Sequence, residues 1–340
     1  MLEVLDCRVP ASLQDAGRPG YRHLGVPLSG ALDIEWLAIA NALAGNPPHT
    51  VALEAQVIGP RLRANAPVTI ALAGEFSARI EDAGGQSREV GNWRSHVLAA
   101  GEVLDTGSLR SRIGYLAIHG GFDLPVVLGS RSTYVRAGFG GIDGRALIAG
   151  DRLNVLPIGK AGERTSLPLR LPRPPGPWSG ALRVVSGPQR EYFTDAAWAR
   201  FVGEAFIVGR AVDRMGLRLE GPRLDHALGA DIVSDGVAPG AVQVPGDGHP
   251  IVLLADCQTV GGYPKIATVI GADLPCLGHF MPGQTLRFVE VSIEQAIAAR
   301  RQANAALAEC LASIVPGEGG FNLDALYTAN LIDGVIDAHR

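Results

Sequence analysis

The densest run of chemically useful side chains lies between residues 243 and 265. Gln243-Val244-Pro245 and Gly246-Asp247-Gly248 precede an apolar stretch over 251–254. That stretch delivers Asp256, Gln258, Thr259, Tyr263 and Lys265 within ten residues. A carboxylate, an amide, a hydroxyl, a phenol and an ammonium are enough to bind and polarise an amide or a carboxylated substrate. Gly261-Gly262 in their midst permits close backbone approach. A polar hairpin turn with Lys265 in solvent would use the same residues; the chemical reading is the stronger.

Two further clusters carry polar chemistry. Ser12-Leu13-Gln14-Asp15-Ala16-Gly17-Arg18 continues to Gly25-Val26-Pro27-Leu28-Ser29-Gly30-Ala31-Leu32-Asp33. This glycine-punctuated loop runs into a helix start, where backbone N–H groups and the dipole favour an anion or a polarised carbonyl. Plain turn chemistry and a capped helix account for the same residues. In Asp213-Arg214-Met215-Gly216-Leu217-Arg218-Leu219 the leucines alternate with polar neighbours, setting Asp213 and Arg214 at the mouth of a strand. Such a pair is also a common solvated turn.

The elements that must position these groups are mostly strands. Of 340 residues, 44 are glycine and 23 proline, a density that favours short strands and tight turns over helical bundles. Apolar runs at 68–72, 113–118, 183–185 and 251–254 read as strands. Three helices are predicted. One spans 31–44, capped by Ser29 or Gly30, with Asp33 and Glu35 in its first turns and Gly45 at its end. A second covers 195–201 after Thr194. The third spans 293–314 behind a Ser292/Gln295 capping box.

A weak internal repeat organises the chain. Gly59-Pro60-Arg61-Leu62 returns as Gly221-Pro222-Arg223-Leu224, and Gly121-Phe122-Asp123-Leu124-Pro125 as Gly271-Ala272-Asp273-Leu274-Pro275. Ala149-Gly150-Asp151-Arg152-Leu153 is echoed by Pro282-Gly283-Gln284-Thr285-Leu286. Three echoes in one order indicate tandem copies of one β unit. The expected plan is a first β-barrel half over 1–158 and a Pro/Gly-rich linker over 159–178. A second barrel half follows over 179–291, then a capping helix over 292–314 and a tail over 315–340.

Composition narrows the function. Hydrophobic residues make up 47%, which excludes disorder. A net charge of −4 gives no reason to expect nucleic acid or an anionic membrane as partner. No apolar run approaches the roughly 18–20 residues of a membrane span, and the N-terminus lacks a signal-peptide pattern. Cys7, Cys257, Cys276 and Cys310 are widely spaced and read as reduced thiols of a cytoplasmic protein. No Walker A loop, HExxH or GxSxG motif occurs. The eight histidines are dispersed, so no metal site is expected, and no lysine has the setting of a biotin attachment site. Gly138-Phe139-Gly140-Gly141-Ile142-Asp143-Gly144 reads as a glycine-rich β turn rather than a dinucleotide fingerprint, because Asp143 takes the place of the third glycine.

Taken in order, the clusters resemble one family: the C subunit of bacterial 5-oxoprolinase, also called KipA or allophanate hydrolase subunit 2. It is related to the carboxyltransferase region of biotin-dependent urea carboxylase. The matching strings are Ser12-Leu13-Gln14-Asp15-x-Gly17-Arg18, Gly25-Val26-Pro27-x-Ser29-Gly30-Ala31-x-Asp33 and Asn41-x-Leu43-x-Gly45-Asn46. Ala52-Leu53-Glu54, Asp213-Arg214-Met215-Gly216-x-Arg218-Leu219, Gln243-Val244-Pro245 and Gln258-Thr259-x-Gly261-Gly262-Tyr263-Pro264-Lys265 complete the set, covering about residues 10 to 312.

The resemblance implies a mainly β fold of two tandem cyclophilin-like β-barrel domains with a few short helices and a C-terminal helix. It implies two partner proteins, one KipI-like and one LamB/YcsF-like, that act with this chain on 5-oxo-L-proline at the expense of ATP. ATP is expected on the complex, since no nucleotide motif is present here. Two alternatives stand beside this: a carboxyltransferase component that works on a urea- or guanidine-like acceptor, and a regulatory protein that binds a KipI-like kinase inhibitor. Within the leading reading, Asp256, Lys265 and Asp213 are the expected catalytic groups. Gln14, Arg18, Ser29, Asp33, Arg214, Gln243, Gln258, Thr259 and Tyr263 are the expected substrate contacts. Val212 stands where the family usually has Ser, and Val260 where it usually has Thr; each removes a hydroxyl near the expected site.

Overall fold

From Ile113 onward, strand Ser108–Ile118 carries only apolar residues, glycine and one tyrosine, because both faces of that part are covered. It pairs antiparallel with Ala52–Ile58 on one side and Val68–Ala73 on the other. Leu53, Ile70, Leu72, Leu116 and Ile118 point one way, into a core shared with Leu2, Val4, Leu62 and Leu104 of a second sheet. Ala52, Ala71, Ala73, Tyr115 and Ala117 point the other way, as strict alternation requires, into a different core.

The structure, a computed structural model, describes residues 1–156, 168–176 and 178–317. Part of the expected linker and most of the expected tail lie outside these residues. The first half holds two sheets. One runs, in spatial order, Ser12–Gln14, Ala52–Ile58, Ser108–Ile118, Val68–Ala73, Arg94–Leu98, Leu169–Arg170 and Val315–Pro316. The other runs Arg152–Leu153, Leu2–Asp6, Arg61–Ala64, Val103–Asp105, Arg79–Glu81 and Ser87–Glu89. The second half is a closed seven-stranded barrel of Leu182–Ser186, Lys265–Val269, Ala241–Gln243, Ile251–Leu253, Gly216–Glu220, Ala205–Val212 and Thr285–Glu290. The fold is thus mainly β with few helices, as the sequence predicts, although the described strands of the first half are divided between two sheets. Leu169–Arg170, within the expected linker, is itself a strand, and Val315–Pro316 brings the chain back from the second half onto the first.

Four α-helices occur among the described residues: α1 (Ile34–Leu43), α2 (Asp195–Gly203), α3 (Leu274–Leu277) and α4 (Ile293–Ala312). Helix α1 is apolar on most of its surface, because Leu37, Ile39, Ala40 and Leu43 are enclosed in a core shared with barrel residues such as Val184, Leu217 and Val252. It starts three residues later than predicted. Ser29 and Gly30 are at φ 51° and φ 83°, and the cap is Asp33, whose carboxylate accepts from Glu35 N and Trp36 N. Helices α2 and α4 have the predicted caps, Thr194 and the reciprocal Ser292/Gln295 box. Phe201 of α2 stacks on Phe288 in the barrel, with ring centroids 4.4 Å apart.

Two of the three sequence echoes fall at matching places. Gly121 and Gly271 follow the strands Ser108–Ile118 and Lys265–Val269, while Asp151 and Gln284 lead into Arg152–Leu153 and Thr285–Glu290. The first echo is looser: Gly59-Pro60 joins strand Ala52–Ile58 directly to Arg61–Ala64, whereas Gly221-Pro222 leaves Gly216–Glu220 for a loop.

Candidate active site at the junction of the two halves

Cross-strand pairing starts the site. Tyr115 stands directly opposite Glu54, so both side chains leave the sheet on the face turned toward α1 and the barrel. The Tyr115 hydroxyl donates to Glu54 Oε2 (2.7 Å) and accepts from Asp33 N (2.9 Å), while Leu32 N donates to the same Glu54 oxygen (2.8 Å). The barrel supplies the partner. Strands Gly216–Glu220 and Ile251–Leu253 are neighbours, and the turns beyond them bring Arg214 O against Asp256 N at 2.9 Å. Arg214 then donates Nε and Nη2 to Asp256 (2.8 and 3.1 Å), Nη1 to Glu54 Oε1 (2.5 Å) and Nη2 to Gly30 O (2.5 Å). One guanidinium ties the first-half sheet, the loop before α1 and the barrel together.

Electrostatics hold this arrangement. Burial opposes the charge on Arg214, but Asp256 and then Glu54 outweigh it and raise its pKa above the ordinary arginine value. Burial, then the charges of Glu54 and Asp33, push the Tyr115 phenol well above its usual range, so it stays a neutral donor.

Beside this network lies a set of polar atoms with nothing to bind. Arg18 is fully buried, donates Nη2 to Ser132 O (2.5 Å) and lies 4.8 Å over the Phe139 ring. Its Nε and Nη1, together with Gln14 Oε1 and Ser29 Oγ, lack a hydrogen-bond partner within the described protein. Burial lowers the Arg18 pKa, with Asp15 and Asp256 acting the other way. Each buried polar atom left alone costs about 1–3 kcal/mol, so a group of them marks a place built for something else to bind. The supports around them are fully engaged. Asp15 collects Ser130 Oγ, Ser132 Oγ, Arg131 N and Gly17 N at 2.5–2.8 Å. Gly17 and Gly30 pass so closely that a Cβ on Gly30 would lie 2.6 Å from Gly17 N, and both have positive φ.

The third group belongs to the barrel. Gln243 is opposite Lys265 in the ladder and accepts from Gln258 Nε2 at 3.3 Å. Lys265, only 3% exposed, donates Nζ to Asp235 Oδ2 (2.8 Å) and Gly236 O (3.2 Å) rather than to Asp256. Arg22 reaches across from the first half to the carbonyls of Val237 and Gln258.

Placement of the sequence-selected residues is therefore uneven. Gln14, Arg18, Ser29, Arg214 and Asp256 lie at the junction, and Gln243, Gln258 and Lys265 cluster on the adjoining barrel strands; Asp33 joins the junction only by its backbone N–H, its carboxylate turning to the α1 cap and His279. Asp213 is exposed, and its carboxylate accepts from Met215 N and Gly216 N, closing its own turn. Thr259 is half-buried and Tyr263 is 41% exposed, on the hairpin loop. Val260 is also exposed. Tyr115 and Arg22 were not picked out in the sequence, and Asp15 and Glu54, though within the noted strings, were given no role in the site. The available signal was a lone carboxylate and a lone phenol inside otherwise apolar strands, which is where an unpaired polar group would be costly.

Two tandem cyclophilin-like β units meeting at a buried, arginine-centred polar junction define the class of protein. The chain belongs to the carboxyltransferase domain family: the description "Carboxyltransferase domain, subdomain A and B" matches residues 24–290. The C subunit of 5-oxoprolinase from Escherichia coli K12 is 36% identical over 302 residues, taking in 88% of this chain and 94% of that protein. Its counterpart of the same name from Haemophilus influenzae is 34% identical over 303 residues, with 89% and 95% covered. The crystal structure of the K. lactis urea amidolyase superposes with a TM-score of 0.79 at 27% identity, over 91% of this chain and 20% of that much longer one.

Proposed function

We propose that the chain is the C subunit of an ATP-dependent 5-oxoprolinase complex. It works with a KipI-like protein and a LamB/YcsF-like protein to open 5-oxo-L-proline to L-glutamate. The observation that carries this is the 36% identity with the E. coli C subunit, which runs nearly end to end in both chains. A lactam resists hydrolysis near neutral pH. In the overall reaction ATP and water are consumed with the lactam, giving glutamate, ADP and phosphate. What this chain contributes is binding and charge. The unpaired N–H groups of Arg18 suit the substrate carboxylate, and the Gln14 carbonyl and Ser29 hydroxyl suit the lactam N–H and C=O. Asp256, held bidentate by Arg214, is fixed as a carboxylate able to orient water. Lys265 supplies a second positive charge on the adjoining strand.

The test is reconstitution with the two partner proteins, measuring 5-oxoproline- and ATP-dependent glutamate formation with each component omitted in turn. Arg18→Lys keeps the charge but loses the fork geometry; it is expected to raise KM about tenfold or more, equivalent to roughly 1.4 kcal/mol. Asp256→Asn and Lys265→Ala are expected to lower kcat. Wild-type turnover in all three, or full activity without this chain, overturns the reading. The family description and the urea amidolyase likeness favour a second reading, a carboxyltransferase that takes carboxybiotin from another protein. Activity that survives avidin treatment would count against it.

A further inference from the structure

We infer that the cavity between the start of α1 and segment 272–284 binds a small organic cation. It has a volume of about 320 Å³, at the lower end of ligand-pocket sizes, and its lining includes Glu35, Trp36, Glu75, Trp178, His279 and Phe280. It adjoins the junction through Asp33, which lines the cavity and meets Tyr115 by its backbone N–H, but it does not depend on the lactam reading.

The walls are aromatic. Trp36 and His279 rings lie 4.3 Å apart, and Trp178 meets Phe280 edge-on at 5.6 Å. The negative face of such rings attracts a cation within about 6 Å, and the attraction strengthens as the cation is desolvated. Charge on the lining points the same way: carboxylates at Asp33, Glu35 and Glu75 against one arginine, Arg110. Asp33 is already satisfied, with Oδ1 taking Glu35 N and Trp36 N, and Oδ2 lying 2.8 Å from His279 Nε2. Glu35 is not. The cation it faces, Arg300 on α4, is 3.8 Å away, beyond hydrogen-bond reach. An anion entering here would meet three carboxylates; an ammonium would complete Glu35 and lie against indole. Cys276, which donates its thiol proton to Asp273 O and is kept neutral by burial, adds a soft apolar wall.

Proton linkage gives a readout. Burial, then Asp33, push Glu35 up to about 6, and Arg300 works against them. The titratable or charged groups around Glu35 are Asp33 on the loop into α1, Arg300 and Cys310 on α4, and His279, Glu75 and Arg110 on the cavity lining. A bound cation favours ionised Glu35, so affinity rises as pH passes upward through about 6 and falls below it.

The probe is n-butylammonium, titrated by calorimetry into the whole chain, with n-butyrate as the isosteric anion. Saturable butylammonium binding is expected, without butyrate binding. It should be weakened about tenfold by Glu35→Gln, equivalent to roughly 1.4 kcal/mol, and similarly by Trp36→Leu. The affinity of the unaltered chain should climb between about pH 5 and about pH 7, and the climb should vanish in Glu35→Gln. Equal binding of butyrate, no saturable binding of butylammonium, or a pH response unchanged in Glu35→Gln would overturn the proposal. The two ligands and the pH series on the unaltered chain decide the matter even if a variant folds poorly.

Discussion

Arg214 is the residue on which the two halves agree. Its side chain is almost wholly enclosed, it holds two carboxylates from different halves, and it also caps the carbonyl of Gly30. Removing one partner of a buried ion pair leaves uncompensated charge and costs about 3–5 kcal/mol. Arg214→Met is therefore expected to destabilise by about that amount, measured as a fall in urea midpoint at constant slope. Arg214→Lys retains the charge but cannot reach Asp256, Glu54 and Gly30 at once, so it should be intermediate. A variant as stable as the parent would show that the pair is solvated, contrary to the geometry. Both Arg214 and Asp256 were legible in the sequence as polar residues at the ends of apolar strands. Their partner Glu54 was given no role, because its role depends on Tyr115 standing opposite it across a strand pair whose members are far apart in sequence. Asp213 was legible for the wrong neighbour relation: adjacency to Arg214 in sequence sends its carboxylate back into its own turn.

Among the elements, helix ends were read best where they are exposed. The Ser292/Gln295 box caps α4 by local bonds alone, Ser292 Oγ accepting from Gln295 N and Gln295 Oε1 from Ser292 N. Ser292→Ala is expected to cost about 1 kcal/mol, seen as a small drop in Tm with the fold unchanged. No drop would mean that packing of Leu307, Leu311 and Ile314 holds the helix by itself. The α1 start was misjudged for a tertiary reason. Ser29 and Gly30 suit a cap by type, yet they are kept in left-handed conformations so that Gly30 O reaches Arg214 and Ser29 N reaches Ala255 O. Tertiary contacts at the junction override local propensity there, and Asp33 takes over the cap. Strands were legible from their apolar runs; their partners were not, since the ladder depends on contacts distant in sequence.

Across the whole molecule, one apolar core runs through both halves. Leu37, Ile113 and Tyr115 of the first share it with Val184, Phe206, Leu217 and Val252 of the second. Neither half can expose its side of that core without exposing the other's, so unfolding is expected as a single cooperative transition, with calorimetric and van't Hoff enthalpies equal. Two resolved transitions would contradict this. The repeat in the sequence pointed to two β units but said nothing of this shared core, because echoes mark turns rather than the faces between units.

The short strand Val315–Pro316 carries a different consequence. It lies outermost among the described strands of its sheet, beside Leu169–Arg170. An open sheet edge is a template on which a strand from another molecule can grow, and proline, having no N–H, is a poor place to continue a ladder. By returning to the first half after α4, Val315–Pro316 covers Leu169–Arg170, and its proline has no N–H to offer a further strand. A chain cut before Ile314 would uncover Leu169–Arg170 and turn that covered margin into a sticky one.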